Sequence, residues 1–338
     1  MAAISYTSGN NWEFFLSRKA DAGAVYGAVD CGGKLVYERL TPSRVPSVVY
    51  TKARPVTPLK LFLFPFKESV LPAVSPTENA VVIGPASCDL AGLSILDRVF
   101  AGGEFKDPSY PERRARLTIV SVDCQQPYQT CFCESVGVRP YAERLFDVNL
   151  TALADGFLVE VGSEKGAQFL EGLQTEEAGG DRLAQRAALR EKAARAVREI
   201  NSQFDLADIP ERIRGIEMAE RWQTEDVSRC VQCGSCNFNC PTCVCFLLED
   251  TGTPERFEKM RLWDACLFPG YARMAGGATP RRTLFERYAH RLLCKYSYMV
   301  DNFGTVGCTG CGRCIAGCIG RIDKRKVLSE VVVSRTPA

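Results

Sequence analysis

A single histidine, His290, is the only imidazole in this chain of 338 residues. Zinc hydrolases that rest on two or three histidines, and Ser–His–Asp hydrolases, therefore fit it poorly. Glycine-rich phosphate loops are missing as well. No G-x-G-x-x-G stands between a strand and a helix, no G-x4-G-K-S/T occurs, and GSEKG (162–166) is neither. The chain thus offers no site of its own for NAD(P), flavin or ATP phosphates. Long apolar runs are absent: stretches such as LKLFLFPF are far too short to span a bilayer. The opening MAAISYTSGNNWEFF lacks a charged region followed by an apolar one, so no export signal is expected and a cytoplasmic location is. A net charge of +2 gives no global bias toward nucleic acid or a membrane surface.

What the chain has instead is sulfur. Seventeen cysteines are far more than an average chain of this size carries, and in a reducing compartment clustered cysteines mainly bind metal. Residues 230–241 read CVQCGSCNFNCP and residues 308–318 read CTGCGRCIAGC, both with the spacing C-x2-C-x2-C-x3-C. Three thiolates at this spacing wrap one corner of a [4Fe–4S] cubane, and the fourth points to the other cluster. The spacing therefore assigns Cys230, Cys233, Cys236 and Cys318 to a first cluster. It assigns Cys308, Cys311, Cys314 and Cys240 to a second. A structural zinc site would want four ligands in two separated pairs, which two full four-cysteine runs do not resemble. Pro241 follows Cys240 in the usual way, whereas Ile319 follows Cys318.

The expected fold class is α+β. A mixed α/β domain (1–175) precedes a helical linker (176–226), and a helical, ferredoxin-like dicluster domain (227–338) carries an insertion between its motifs. Strands are expected at 34–40, 80–84, 117–124 and 156–162, and a helix at 88–100. Loops are expected at the Pro-containing segments 41–48, 54–58 and 72–76. A helix from Asp181 to about Asn201 would bury Leu189, Ala193, Val197 and Ile200 and pair Glu191 with Arg195, with EEAGG (176–180) as a hinge before it. The insertion reads as helical over 283–300.

Four more cysteines, Cys88, Cys124, Cys131 and Cys133, fall at a strand-to-helix turn, a strand end and a loop. They suffice for a third cluster, but nothing in the spacing demands it, and inert thiols or a zinc site stay open. Cys243 and Cys245 read as thiols supporting the cluster ligands or packing near them, and Cys31, Cys266 and Cys294 as small buried hydrophobes. Arg313, Arg321, Lys324, Arg325 and Lys326 flank the second motif. They would offset cluster charge, dock an acidic redox partner, or form a solvated surface.

These motifs together resemble the beta (iron–sulfur) subunit of cytoplasmic, NAD(P)-linked nickel–iron hydrogenases, the sulfhydrogenases, and the related iron–sulfur subunit of anaerobic sulfite reductases. The likeness runs through GPASCDLAGLSILDRVF (84–100), DPSYPERR (107–114), DCQQPYQTCFCESVG (123–137) and LTALADGFLVEVGSEKG (150–166). It continues in CVQCGSCNFNCPTCVCF (230–246), LWDACLF (262–268) and GCTGCGRCIAGC (307–318). The resemblance implies an electron relay between a flavin subunit handling NAD(P)H and the catalytic subunits of a hetero-oligomeric hydrogenase, with no catalytic centre of its own. A sulfite or sulfur reductase is the alternative terminal partner. It favours the third cluster, because Cys88, Cys124, Cys131 and Cys133 fall where that family has cysteines. The segment ARMAGGATPRR (272–282) departs from the family pattern, which leaves the catalytic partner open. No helix-turn-helix with a basic face supports an iron–sulfur DNA sensor, and an enzyme acting alone would need hydrogen- or NAD(P)H-dependent turnover by the isolated chain.

Overall fold

The structure is a computed structural model that describes residues 4–52, 54–74, 78–102, 104–214, 216 and 219–333. The first three and last five residues, and part of the loop expected at 72–76, lie outside these. Eleven strands appear among the described residues. They are β1 (Ile4–Ser8), β2 (Ala24–Cys31), β3 (Lys34–Arg39), β4 (Lys67–Leu71), β5 (Ala80–Ile83), β6 (Leu117–Val122), β7 (Val148–Ala152), β8 (Gly156–Val161), β9 (Glu176–Glu177), β10 (Phe246–Thr253) and β11 (Arg256–Trp263). Eight of them form one sheet in the order β3-β2-β5-β6-β7-β8-β1-β9. Its centre, β2-β5-β6-β7, is parallel, and the outer pairings are antiparallel.

Central strand β6, LTIVSV, is buried at every position, as expected for a parallel strand covered on both faces. Its side chains alternate between two cores. Val120 and Val122, with Ile83 of β5, meet Trp12, Phe15 and Leu16 of helix α1 (Gly9–Ala22) on one face. Ile119 and Val82 face the opposite way, against Leu90, Leu93 and Leu96 of α2 (Ser87–Phe100). The period-2 pattern of the strands and the 3.6-residue stripes of the helices therefore build a three-layer domain. Helices α3 (Ser109–Arg116) and α4 (Glu164–Phe169) complete it.

Helix α5 (Gly180–Ile200) packs along this domain. Ala193 and Val197 are buried as the periodicity predicts, with Leu189 and Ile200 partly so. Asp181 lies in its first turn behind Gly179 at the cap, and Glu191 pairs with Arg198 rather than Arg195. The Arg190 guanidinium donates two hydrogen bonds to Asp123, at 2.8 and 3.1 Å. Asp123 also accepts from Asn149 and Thr151 of β7, so a buried carboxylate ties α5 to the sheet. The segment expected to be a hinge is partly strand: Glu176 and Glu177 pair with β1.

The C-terminal region contains short helices α6 (Ile209–Ile213), α7 (Glu225–Ser228) and α8 (Ser235–Phe238), then α9 (Leu284–Leu293), α10 (Met299–Phe303), α11 (Arg313–Ala316) and α12 (Lys324–Val333). Trp222, Tyr288, Leu292 and Tyr296 anchor its core. Helix α9 starts at a capping box between Thr283 and Glu286. A π-turn (Cys294–Tyr298) separates it from α10. The insertion between the motifs is only partly helical. It opens with the β10–β11 hairpin, which β4 from the N-terminal half joins to form a second, three-stranded sheet.

Candidate iron–sulfur centres

Both motifs fold the same way. Gln232 and Gly234 in the first, and Gly310 and Gly312 in the second, take positive φ of 55°, 72°, 62° and 71°. Each loop then enters a one-turn helix, α8 or α11. Glycine serves a second purpose in the later motif. A Cβ on Gly312 would stand 2.1 Å from the Thr130 carbonyl oxygen, and one on Gly310 would stand 2.5 Å from Cys133 Cα. The Phe132 N–H donates to the Gly310 carbonyl at 2.8 Å. The TCFC loop of the N-terminal domain is thus seated directly on the second motif. Gly312→Val is expected to displace that loop, and mass-resolved labelling of Cys131 and Cys133 should rise in the variant.

Cys240, Cys308, Cys311 and Cys314 line one cavity, although Cys240 belongs to the other motif. Tyr296, from the π-turn, hydrogen-bonds to the Cys308 sulfur, and the Gly310 N–H points to the same sulfur at 3.4 Å. The cavity is strongly cationic. Arg291 and Lys295 are 4 % exposed and form no ion pair with a carboxylate among the described residues. Burial opposes their charges, and the surrounding cysteine thiolates outweigh it and push both pKa values up. Arg291 Nε and Thr309 Oγ1 are buried without a hydrogen-bond partner. Unpaired buried donors around four thiols fit an anionic iron–sulfur cluster with acceptor sulfides. Burial, with smaller contributions from Cys240 and Cys311, pushes the Cys308 thiol up to about 11 against the Tyr296 and Gly310 hydrogen bonds, so bound iron must displace that proton.

Of the first set, Cys236 and Cys318 lie close enough to Cys230 to raise its pKa, after burial as the largest cause. The Ile322 N–H points to Cys318 Sγ at 3.4 Å. Cys233 is exposed. Cys88, Cys124, Cys131 and Cys133 all line a further cavity together with Cys311. Cys88 and Cys124 follow the carboxyl ends of the adjacent parallel strands β5 and β6, where open α/β sheets hold ligands. Among the described residues no three His, Cys, Asp or Glu side chains gather tightly enough for a single metal ion.

One sequence expectation fails here in part. Cys31 is exposed at the end of β2 and Cys294 only half-buried, so neither is a buried hydrophobe; Cys266 is buried but bonded to other polar groups. The basic residues, for which charge offset, docking and a solvated surface all stood open, are largely internal, and Arg313 faces Cys311 and Cys88 while Lys324 faces Cys314, which fits charge offset. Arg313 is 3 % exposed and pairs with Asp89 of α2 at 2.7 Å, while Lys324 donates to Tyr288 and Arg325 to Asn201. Lys326 is exposed and pairs with the buried Asp226 and with the exposed Glu330. Sequence reasoning also missed Arg291, Lys295 and Thr309; the alternation of LL-C-KY within a helical stretch carries no sign of a cavity.

A family model described as a 4Fe-4S dicluster domain matches residues 229–322. Across nearly its whole length, the chain is similar to the sulfhydrogenase 2 subunit beta of Pyrococcus furiosus. The two are 33 % identical over 328 residues, 94 % of this chain and 95 % of that protein. No solved structure matches the chain. No helix among the described residues is long and apolar enough to cross a membrane.

Proposed function

This chain belongs to the family of the sulfhydrogenase beta subunits, and from that premise we propose that it is the electron-relay subunit of a hetero-oligomeric, cytoplasmic nickel–iron hydrogenase. Cys230, Cys233, Cys236 and Cys318 hold the first [4Fe–4S] cluster, and Cys308, Cys311, Cys314 and Cys240 the second. Cys88, Cys124, Cys131 and Cys133 hold a third. A flavin subunit that handles NAD(P)H lies on one side of the relay and the catalytic subunits on the other; the same relay would serve a sulfite or sulfur reductase.

The observation that carries this reading is the shared position of Cys311. It lines both the cavity of the second motif and that of the four N-terminal cysteines. Adjacent cysteine cages of this kind suit transfer from one centre to the next. When bound, the clusters supply one-electron chemistry. The protein supplies everything else. Arg291 and Lys295 favour added negative charge, Tyr296 and the Gly310 and Ile322 N–H groups donate to ligand sulfurs, and the surrounding aromatic core limits water.

Anaerobic purification from the native source tests the reading. Metal analysis should return about 12 iron per chain, against about 8 for two clusters. Cys131→Ser should lower the total by about 4 iron and remove one EPR-active centre on reduction. Co-purifying subunits identify the terminal reaction. A colourless, zinc-loaded protein without a reduced EPR signal would overturn the proposal.

A further inference from the structure

Two cysteines outside the three proposed cages meet at the foot of the hairpin. Strands β10 and β11 pair Phe246 with Trp263, and the ladder continues one step as the Asp264 N–H donates to the Cys245 carbonyl at 2.9 Å. The segments entering and leaving the hairpin therefore run side by side, and the Cys245 and Cys266 thiols lie in hydrogen-bonding contact. The pair is unequal. Cys245 is partly exposed and receives a hydrogen bond from the Tyr271 hydroxyl, whereas Cys266 is 5 % exposed. Cys266 is also connected inward. Asn237 Nδ2 donates to its sulfur at 3.2 Å, and Asn237 Oδ1 lies 3.6 Å from Cys236 Sγ. Asn237 is 1 % exposed, so one buried amide joins Cys266 to a ligand assigned to the first cluster.

We propose that Cys245 and Cys266 form a dithiol–disulfide couple that exchanges electrons with the first cluster through Asn237 and with small disulfides through Cys245, the less buried of the two. The couple rests on the cluster reading given above. It would convert one-electron transfers into a two-electron reaction. The Cys245 thiolate attacks one sulfur of a disulfide RSSR, forming a mixed disulfide and releasing RS⁻, which takes a proton from water. The Cys266 thiol gives up its proton and attacks Cys245 Sγ, closing the intramolecular disulfide and expelling the second RS⁻. Two electrons from the iron–sulfur donor, delivered singly, and two protons from water restore both thiols. The sum is RSSR + 2e⁻ + 2H⁺ → 2RSH. The asymmetry suits these roles, because the attacking thiol must be reachable and ionised while the resolving thiol can be buried. Hydrogen bonding from Cys266, ahead of that from Tyr271, holds the Cys245 thiol down to about 6 against the effect of burial.

The test uses the anaerobic, iron-loaded protein. It is treated with a slight excess of cystine and then with a reduced viologen dye. Samples from each stage are acid-quenched, alkylated and mapped by mass spectrometry, with iron and EPR recorded on the same material. A peptide linking Cys245 to Cys266 should appear after cystine and vanish after the dye, at constant iron. Cys245→Ser should never give the link. Asn237→Ala should keep its iron and form the link, yet lose it to the dye at least about tenfold more slowly. Two outcomes in iron-loaded protein overturn the couple alone: both cysteines freely alkylated at every stage, or both protected until iron is chelated, which would make them ligands. Protein that is iron-free before cystine is added overturns the cluster reading and the couple together.

Discussion

Cys311→Ser is expected to disable the relay more completely than any other single substitution in the chain. Cys311 is 8 % exposed and lines two cysteine cavities at once. Its backbone is equally engaged: the carbonyl accepts from Arg54 at 2.8 Å and faces Cys131 Sγ at 3.8 Å. Serine keeps the size and replaces the soft thiolate by a hard, far less acidic hydroxyl, so the second cage loses a ligand iron prefers. Losing a supporting hydrogen bond typically costs a metal site ~10–100-fold, and losing a ligand exceeds that. The variant should therefore show electron transfer through the complex reduced by more than about a hundredfold. Iron analysis and EPR of the reduced protein should show one centre lost or converted, with the N-terminal centre retained. A variant with wild-type iron and wild-type electron flow would remove Cys311 from the ligand set.

The second large effect lies in a charge pair away from the sulfur. Asp89 and Arg313 are 1 % and 3 % exposed, and their carboxylate–guanidinium contact at 2.7 Å joins α2 to α11. Asp89 also accepts from the Leu59 N–H, and Arg313 Nε donates to the Pro55 carbonyl. Replacing Asp89 by leucine leaves a buried guanidinium without its counter-charge, which costs about 3–5 kcal/mol. For a chain of this length that lowers the midpoint of anaerobic thermal unfolding by about 5 °C. The double variant Asp89→Leu/Arg313→Met should recover part of the loss, since a hydrophobic pair of similar volume avoids the stranded charge. Equal midpoints for the single variant and the parent would show that the contact contributes nothing to holding the two regions together.

How much of this was legible beforehand depends on whether the signal was local. The dicluster motif is local: cysteine spacing within a dozen residues names the chemistry. Strands β3, β5, β6 and β8 and helices α2 and α5 carry periodicity strong enough to be read. The hairpin is different. Almost every residue of β10 is exposed, so no alternation between apolar and polar positions marks it as a strand. Strand β7 hides for the opposite reason, because its Asn149 and Thr151 look like surface residues until Asp123 is seen beside them. The role of the basic residues in and after the second motif stayed open in the sequence because the partner of Arg313 lies 224 positions away. Long-range pairing of this kind leaves no trace in a window of neighbouring residues.

The path of β4 bears on how the chain can be cut. That strand leaves the first half of the sequence to close the edge of a sheet whose other two members come from residues 246–263. Arg261 of β11 reaches back to Glu68 of β4 and to Asp107, both in the first half. Fragments divided anywhere within 176–226 would each retain an incomplete sheet, one with an orphaned strand and the other with an uncovered backbone edge prone to self-association. Such halves should be recovered in soluble form only when co-expressed, so the polypeptide behaves as an interlocked whole rather than as an enzyme-like body with a detachable ferredoxin.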